Sequence, residues 1–297
     1  MERGAYGPFR ELFFERAPIF KKTFLDVEAE FGPAWIADFD EHLSRLLGTD
    51  PRALEGAIRG YSGFSIDAMR LQRRFNRTKR YEEQSYEEAC ARVYLNPEYM
   101  KTLYLPGILV SQFLWRHHYR QLTFYRERFL PRVAKLADRR FYDVGTGTGF
   151  YSVQLLNGAP GSSGSGLDIS PSSREFTLEH VRAWNCASRF ESASTDITSV
   201  ELEPRACVQT IEVLEHLSDP QRFLERLRRL LLPGGVGFVA AAITAPEADH
   251  IFLYWSPDDV VAQLEHAGFE VLELQENPAY VGAAGEIVPK VAAFIVR

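Results

Sequence analysis

Hydrophobic residues recur every three or four positions through roughly the first 135 residues and then gather into short unbroken runs. The chain therefore reads as a helical half followed by a half of alternating strands and helices. In the first half Trp35, Ile36, Phe39, Leu43 and Leu46 make one apolar stripe over 33–47. Gly48-Thr49-Asp50-Pro51 stops that helix and starts a short one. Two more helices are predicted over Ser65 to Arg80 and Ser85 to Tyr94, and Pro106-Gly107 breaks the chain ahead of a long helix from Ile108 to about Phe129. No repeat with a period of roughly 20 to 50 residues appears in this half.

The second half opens on a strand, a tight turn and a helix in immediate succession: Phe141 to Val144, then glycine at 145, 147 and 149, then Tyr151 to Leu156. A breaker-rich run from Gly158 to Ser165 leads to a second strand ending Gly166-Leu167-Asp168-Ile169, and a helix opens at Pro171. Arg189 to Ile197 reads as a third strand running into an acidic loop, Ala206 to Ile211 as a fourth, and Val236 to Ala240 as a fifth after a helix through Leu232. Ser256 to Ala267 starts with Ser-Pro-Asp-Asp and stops at Gly268, a helix with both of its end signals. Phe269 to Leu274 and Lys290 to Val296 are the last two strands; with no helix between them they should pair antiparallel at the sheet edge. The expectation is an α/β fold: a Rossmann-like sheet of seven mostly parallel strands with helices on both faces over 136–297, preceded by a helical domain over 1–135.

The glycine turn carries the chemistry. Side chains at those positions would keep the backbone from closing on a bound molecule, and the turn calls for φ > 0. A dinucleotide fingerprint needs its third glycine at 150, which is Phe150, so that reading fails on spacing. What stands here is Asp143-x-Gly145-x-Gly147-x-Gly149. A carboxylate beside the turn suits a ligand that carries cationic groups rather than a pyrophosphate. Asp168 follows Gly145 by 23 positions, where the acid at the end of a second strand accepts both hydroxyls of a ribose. Its competing role is to cap the helix at Pro171.

These landmarks, with Glu212-Val213-Leu214-Glu215-His216-Leu217-Ser218-Asp219-Pro220 and Leu232-Pro233-Gly234-Gly235 after them, resemble the class I S-adenosylmethionine (SAM) methyltransferases, most of all those of the ubiquinone O-methyltransferase type. The resemblance covers about a hundred residues and does not reach the helical half. It implies SAM as cofactor and S-adenosylhomocysteine as product. The donor would lie against Tyr142, Asp143, Gly145, Thr146, Gly147, Gly149, Asp168, Ile169, Thr195, Asp196, Ile197, Ile211 and Glu212, with Asp196 on the adenine amino group. Asp196 is equally readable as a solvated loop acid.

Methyl transfer to a hydroxyl needs a base. His216, just past the fourth strand, is the best placed, and His117, His118 and Tyr119 are further candidates. They belong to the run Phe113, Trp115, His117, His118, Tyr119, Phe124 and Tyr125, which reads either as helix core or as a pocket wall. Glu212-x-x-Glu215-His216 also matches the metal motif of small-RNA 2′-O-methyltransferases. With His250 it offers carboxylates and imidazoles to Mg²⁺ or Zn²⁺. The same residues occur widely in metal-free members, and no metal is expected.

Composition and charge narrow the partners. At 45% hydrophobic and 25% charged the chain is ordinary for a globular protein. No apolar run approaches the ~20 residues that cross a bilayer. Nothing apolar follows Met1-Glu2-Arg3-Gly4, so a cytoplasmic location is expected. Cys90, Cys186 and Cys207 are scattered, which argues against disulfides and a thiolate metal site. Residues 1–135 hold 22 Lys and Arg against 18 Asp and Glu, and residues 136–297 hold 12 against 22. An acidic catalytic half is unsuited to nucleic acid. The basic run Arg70, Arg73, Arg74, Arg77, Lys79 and Arg80 reads as a solvated helix face pairing with Glu82, Glu83, Glu87 and Glu88.

The expected function is methyl transfer to oxygen or nitrogen, or to carbon, of a small molecule such as one of secondary metabolism. The helical half would cover the substrate, or else serve as a homodimerisation arm. Two alternatives share the residues: a metal-assisted RNA 2′-O-methyltransferase, and a SAM-binding protein that transfers no methyl.

Overall fold

The computed structural model describes residues 4–82 and 84–297; Met1 to Arg3 and Glu83, for which a targeting role and a charge pairing were considered, lie outside the described residues. The helical half comprises α1 (Tyr6–Arg16), α2 (Lys21–Leu46), α3 (Pro51–Thr78), α4 (Tyr86–Arg92), α5 (Pro97–Tyr99), α6 (Leu105–Leu114), α7 (Arg116–Phe124) and α8 (Leu130–Val133), with π-helical turns at Met100–Tyr104 and Tyr125–Phe129. The expected helix at 33–47 is the second part of α2, which bends where Gly32 takes φ +65° just before Pro33. Asp50 caps α3 by accepting the Arg52 N–H at 3.1 Å. Ser85 and Glu88 form a reciprocal capping box on α4.

Three helix expectations are corrected. Pro106-Gly107 does not break the chain, since the π-helical turn at Met100–Tyr104 runs directly into α6, where Pro106 sits in the first turn and has no N–H that needs a partner. α3 is a single helix of 28 residues rather than a short one and a separate 65–80, because Gly60 and Gly63 are contact points and not breaks. A Cβ on Gly60 would stand 2.9 Å from Pro106 Cβ, and one on Gly107 2.7 Å from Phe64 Cβ, so α3 and α6 cross backbone to backbone. The helix expected over 108–129 is interrupted at Trp115, which takes extended angles (φ −97°, ψ 113°) and turns the chain between α6 and α7. Of the basic run, Arg74 pairs with Glu82 and Arg70 with Asp67, while Glu88 is used in the capping box.

The sheet half runs β1 (Arg140–Val144), α9 (Phe150–Gly158), β2 (Ser163–Asp168), α10 (Pro171–Ala183), β3 (Phe190–Ser194), β4 (Arg205–Ile211), α11 (Pro220–Arg229), β5 (Leu231–Ile243), α12 (Pro257–His266), β6 (Val271–Pro278) and β7 (Lys290–Val296). Its seven strands are ordered β3-β2-β1-β4-β5-β7-β6, with only β7 antiparallel to its neighbours β5 and β6. The order reverses between β1 and β4, so a crevice opens at the carboxyl ends of those strands. β2 begins inside the run expected to be loop. Gly164 and Gly166 are there because the Phe141 and Phe190 rings occupy the space a Cβ would need.

One hydrophobic cluster spans both halves. Phe113, Tyr125 and Phe129 of the helices pack with Phe150 of α9 and Phe238 of β5, and Tyr125 packs edge to face on Phe238 at 4.9 Å. The Tyr125 hydroxyl donates to Gln209 of β4 at 2.5 Å, so the helices are fixed on the sheet by packing and by a buried hydrogen bond. No described helix is long and apolar enough to cross a membrane.

Gly107→Ala should lower stability by about 1–3 kcal/mol, because the new methyl group overlaps Phe64. Gly56→Ala, in the same helix pair but with open space around it, should be neutral or stabilising by up to about 1 kcal/mol. Urea unfolding of both variants checks the close crossing, and equal losses would refute it.

Candidate functional site

The loop after β1 holds Gly145, Gly147 and Gly149 at φ +74°, +53° and +71°, each in the region that an L side chain rarely adopts. They differ in what surrounds them. A side chain on Gly145 would collide with Val213 and one on Gly149 with Thr177, whereas Gly147 has nothing within 4 Å and faces a cavity. α10 supports the loop from behind: the Thr177 hydroxyl donates to Gly147 O at 3.3 Å, and His180 Nδ1 lies 2.9 Å from Thr148 O. Burial drives His180 down to about 3, so its neutral ring donates that bond without adding a charge.

Asp168 joins the loop to the end of β2. One carboxylate oxygen accepts the Gly147 N–H at 2.9 Å and the other the Ser170 N–H at 2.8 Å. Each oxygen keeps a second lone pair for a ligand hydroxyl. The capping duty at Pro171 falls to Ser170, whose hydroxyl accepts the Ser173 N–H, so Asp168 is free for the loop and the ligand. Asp143 is 2% exposed and accepts the Ser152 hydroxyl. Burial pushes its carboxyl up to about 6.

The cavity in front of this loop is about 910 Å³ and continues from the sheet into the helical half. Of the expected donor-binding residues, Asp143, Gly145, Thr146, Gly147, Asp168, Ile169, Thr195, Asp196, Ile197, Ile211 and Glu212 line it. Two stand behind it. Tyr142 points to the other side of the sheet, with its hydroxyl on Glu203 O and Arg205 over its ring, and Gly149 is packed on Thr177. Asp196 lines the cavity while holding the Thr198 N–H and hydroxyl at 2.8 and 2.9 Å.

Among the expected bases, His117, His118 and His216 line the cavity and Tyr119 does not. Tyr119 packs into the helical core against Phe31, and its hydroxyl reaches Asp38 at 3.3 Å. His118 is engaged on both nitrogens, by Ser111 Oγ at 3.1 Å and by Glu212 Oε2 at 3.4 Å. Burial would raise the Glu212 carboxyl, but His118, His117 and Gln121 outweigh it and hold it at about 2. Glu212 sits at φ +54° and Thr244, just past β5, at φ +49°, two strained non-glycine residues at the carboxyl ends of strands that border the cavity. Burial and the neighbouring His118 hold His117 well below the usual imidazole range.

His216 Nδ1 lies 3.4 Å from both the backbone oxygen and Oδ2 of Asp249. Burial would lower the His216 ring, yet Asp249 and Glu215 more than reverse that and raise it. Its ring meets His250 edge to face at 4.6 Å, and a Glu215 oxygen completes a group of three ligand atoms within 4.8 Å of one another. Glu212 is turned away from this group toward His118 and Gln121. Burial pushes Glu215 up to about 7 and, with His216 beside it, His250 down to about 4.

The sequence pattern did not single out Asp249, Tyr94 or Tyr104, all of which line the cavity, as does Trp115 of the aromatic run read as core or pocket wall. Tyr94 and Tyr104 both donate to Asp249 Oδ2 at 2.7 Å, across 155 and 145 residues of chain. No local spacing signals such a contact.

A sequence-family profile described as a methyltransferase domain matches residues 142–236. The ubiquinone biosynthesis O-methyltransferase of Coxiella burnetii is 26% identical over 110 residues, 37% of this chain and 46% of that protein. The enzyme of the same name from Caulobacter vibrioides is 29% identical over 128 residues, 40% and 50% of the two chains. The chain thus spans about half the length of the curated relatives it matches. Among solved structures, N-methyltransferase NodS from Bradyrhizobium japonicum with S-adenosylhomocysteine superposes with TM-score 0.51 at 18% identity, covering 68% of this chain and 97% of that one. The mitomycin 7-O-methyltransferase MmcR superposes with TM-score 0.50 at 15% identity, covering 82% and 71%. At these identities the superpositions establish a shared fold.

Asp168→Ala removes two charge-assisted bonds, one to the Gly147 loop and one to its own following turn, and should weaken S-adenosylhomocysteine binding by about 1.5–3 kcal/mol, roughly ten- to a hundred-fold in Kd by calorimetry. Asp143 should give the affinity a pH dependence. Its carboxylate favours a cationic ligand once ionised, so binding should be full above about pH 6 and fall as the pH drops through that value. A flat profile in the native protein, or an unchanged slope in Asp143→Asn, would contradict that assignment.

Proposed function

The chain belongs to the class I SAM-dependent methyltransferases, and from that premise we propose that it moves the methyl group of SAM to an oxygen or nitrogen, or a carbon, of a small molecule enclosed between the sheet and the helical half. The observation that carries the proposal is the continuity of a single cavity from the Gly147 loop to His117 and Trp115 on the helices. SAM supplies an already activated methyl on a sulfonium, so the protein has to align an acceptor lone pair with it and exclude water. The helical half, residues 1–135, serves as the cover.

His216 is the base in this reading. Asp249 engages Nδ1 and so favours the tautomer with its proton there, leaving Nε2 to take the proton that an acceptor hydroxyl or ammonium loses. His118 is a positioning residue: with both nitrogens occupied, it fixes Glu212 at the end of β4. His117 stays neutral on the acceptor wall. The relatives named for ubiquinone biosynthesis favour oxygen as the receiving atom.

A second reading rests on Glu215. It is completely buried and neither carboxylate oxygen has a hydrogen-bond partner among the described residues, while His216 and His250 stand beside it. One carboxylate and two imidazoles suit Mg²⁺ or Zn²⁺ in kind, and a cation there would acidify a nearby hydroxyl.

Incubation with SAM and a panel of hydroxyl and amine acceptors should produce S-adenosylhomocysteine together with a product heavier by one methylene. His216→Ala should slow that turnover at least ten-fold while changing S-adenosylhomocysteine affinity less than three-fold, each a rough expectation for loss of a general base. Equal losses in both would make His216 structural. Chelator dialysis separates the two readings: the first expects unchanged turnover, and the second a loss restored by Mg²⁺ or Zn²⁺.

A further inference from the structure

The acceptor side of the cavity holds several buried oxygens without partners among the described residues. Asp249 is 1% exposed, and all its side-chain contacts fall on Oδ2: the hydroxyls of Tyr94 and Tyr104 at 2.7 Å each and His216 Nδ1 at 3.4 Å. Its other oxygen, Oδ1, is buried with no partner among the described residues. Two further wall residues repeat the pattern. Gln72 uses its amide N–H₂ on Ile287 O at 2.8 Å and leaves Oε1 without a partner among the described residues, and Gln112 Oε1 likewise has none. Ser65 Oγ and His117 Nδ1 on the same cavity, which can donate or accept, are unpaired among those residues too. Buried acceptors without donors are costly, the more so for a carboxylate.

The half-buried cations on the same wall do not redress this. Arg116 is paired with Glu30 at 3.5 Å and Lys290 with Glu276 at 2.8 Å, while Arg73 and Arg222 are exposed. An acidic ligand would meet unpaired oxygens, and of these four cations only the exposed Arg73 and Arg222 are uncommitted among the described residues. A ligand bearing N–H or O–H groups would satisfy the oxygens it meets. Tyr104, hydrogen-bonded to Asp249, packs on Phe64 at 6.0 Å, which stacks on Trp115 at 5.3 Å, and all three line the cavity, a lining that favours an aromatic or ammonium-bearing body.

Resting on the methyltransferase reading, we propose that Asp249 Oδ1 is the anchor for a hydrogen-bond donor on the methyl acceptor, and that the acceptor is a neutral or cationic aromatic molecule carrying hydroxyl or amino groups rather than an acid. Asp249 then has two roles in one side chain. Oδ2 orients His216, and Oδ1 brings the donor-bearing end of the substrate within reach of that ring.

The test is a binding screen of the full chain saturated with S-adenosylhomocysteine, against aromatic fragments in matched sets that differ only in carrying an amine, a hydroxyl or a carboxylate. Amines and phenols should dominate the hits, and Asp249→Asn should weaken them at least ten-fold. Carboxylate hits in equal or greater number, hits that Asp249→Asn leaves unchanged, or the absence of amine and phenol hits would overturn the proposal. The native profile decides the substrate class even if Asp249→Asn does not fold. Calorimetry of S-adenosylhomocysteine alone is the separate control: its binding with a failed fragment profile sinks only this inference, and its absence sinks the methyltransferase reading.

Discussion

The site depends on one carboxylate holding two backbone amides. Asp168, at the end of β2, accepts the N–H of Gly147 from the loop after β1 and that of Ser170 from its own following turn. The three left-handed glycines make the loop geometrically possible, and Asp168 selects that geometry from the many that glycine permits. Thr177 and His180 brace the far side, so that the surface offered to a nucleoside is rigid and mostly preformed.

From that fixed edge the rest follows by connection. Ser170 donates its hydroxyl to Tyr94 O at 2.8 Å, which carries the donor loop directly into the helical half. Tyr94 in turn donates to Asp249, and Asp249 orients His216. The chain of contacts therefore runs from the candidate ribose-binding acid, through a helix-half tyrosine, to the candidate base. The shared cluster around Phe113, Tyr125 and Phe238 keeps the two halves in register, so this polar chain does not have to hold them together.

The parts legible in the sequence were those set by local spacing. Asp143, the alternate glycines and Asp168 announce themselves because the turn's conformation and the strand period leave few residue types possible there. The seven strands and their antiparallel last pair were likewise readable from short apolar runs and breakers. Signals that depend on tertiary contact were misread or invisible. Gly60 and Gly63 look like helix breakers until α6 is seen packed against them, and Gly164 looks like loop until the Phe141 ring is seen in its place. Trp115 turns the chain with no glycine or proline to mark it. Tyr119 carries the same polar tip as its histidine neighbours and lies on the wrong face, a distinction only packing makes. Asp249 acquires its role from tyrosines about half the chain away.

The central claim is that SAM lies along the Gly147 loop with its ribose on Asp168 and its sulfur turned toward His216 and the helical wall. A crystal structure with S-adenosylhomocysteine tests it most directly. The account predicts both ribose hydroxyls on the Asp168 carboxylate and open cavity, bordered by His216 and Asp249, about 3–3.5 Å beyond the sulfur along the methyl direction. A ligand bound away from Asp168, or a sulfur facing solvent with the helical half behind it, would contradict the account.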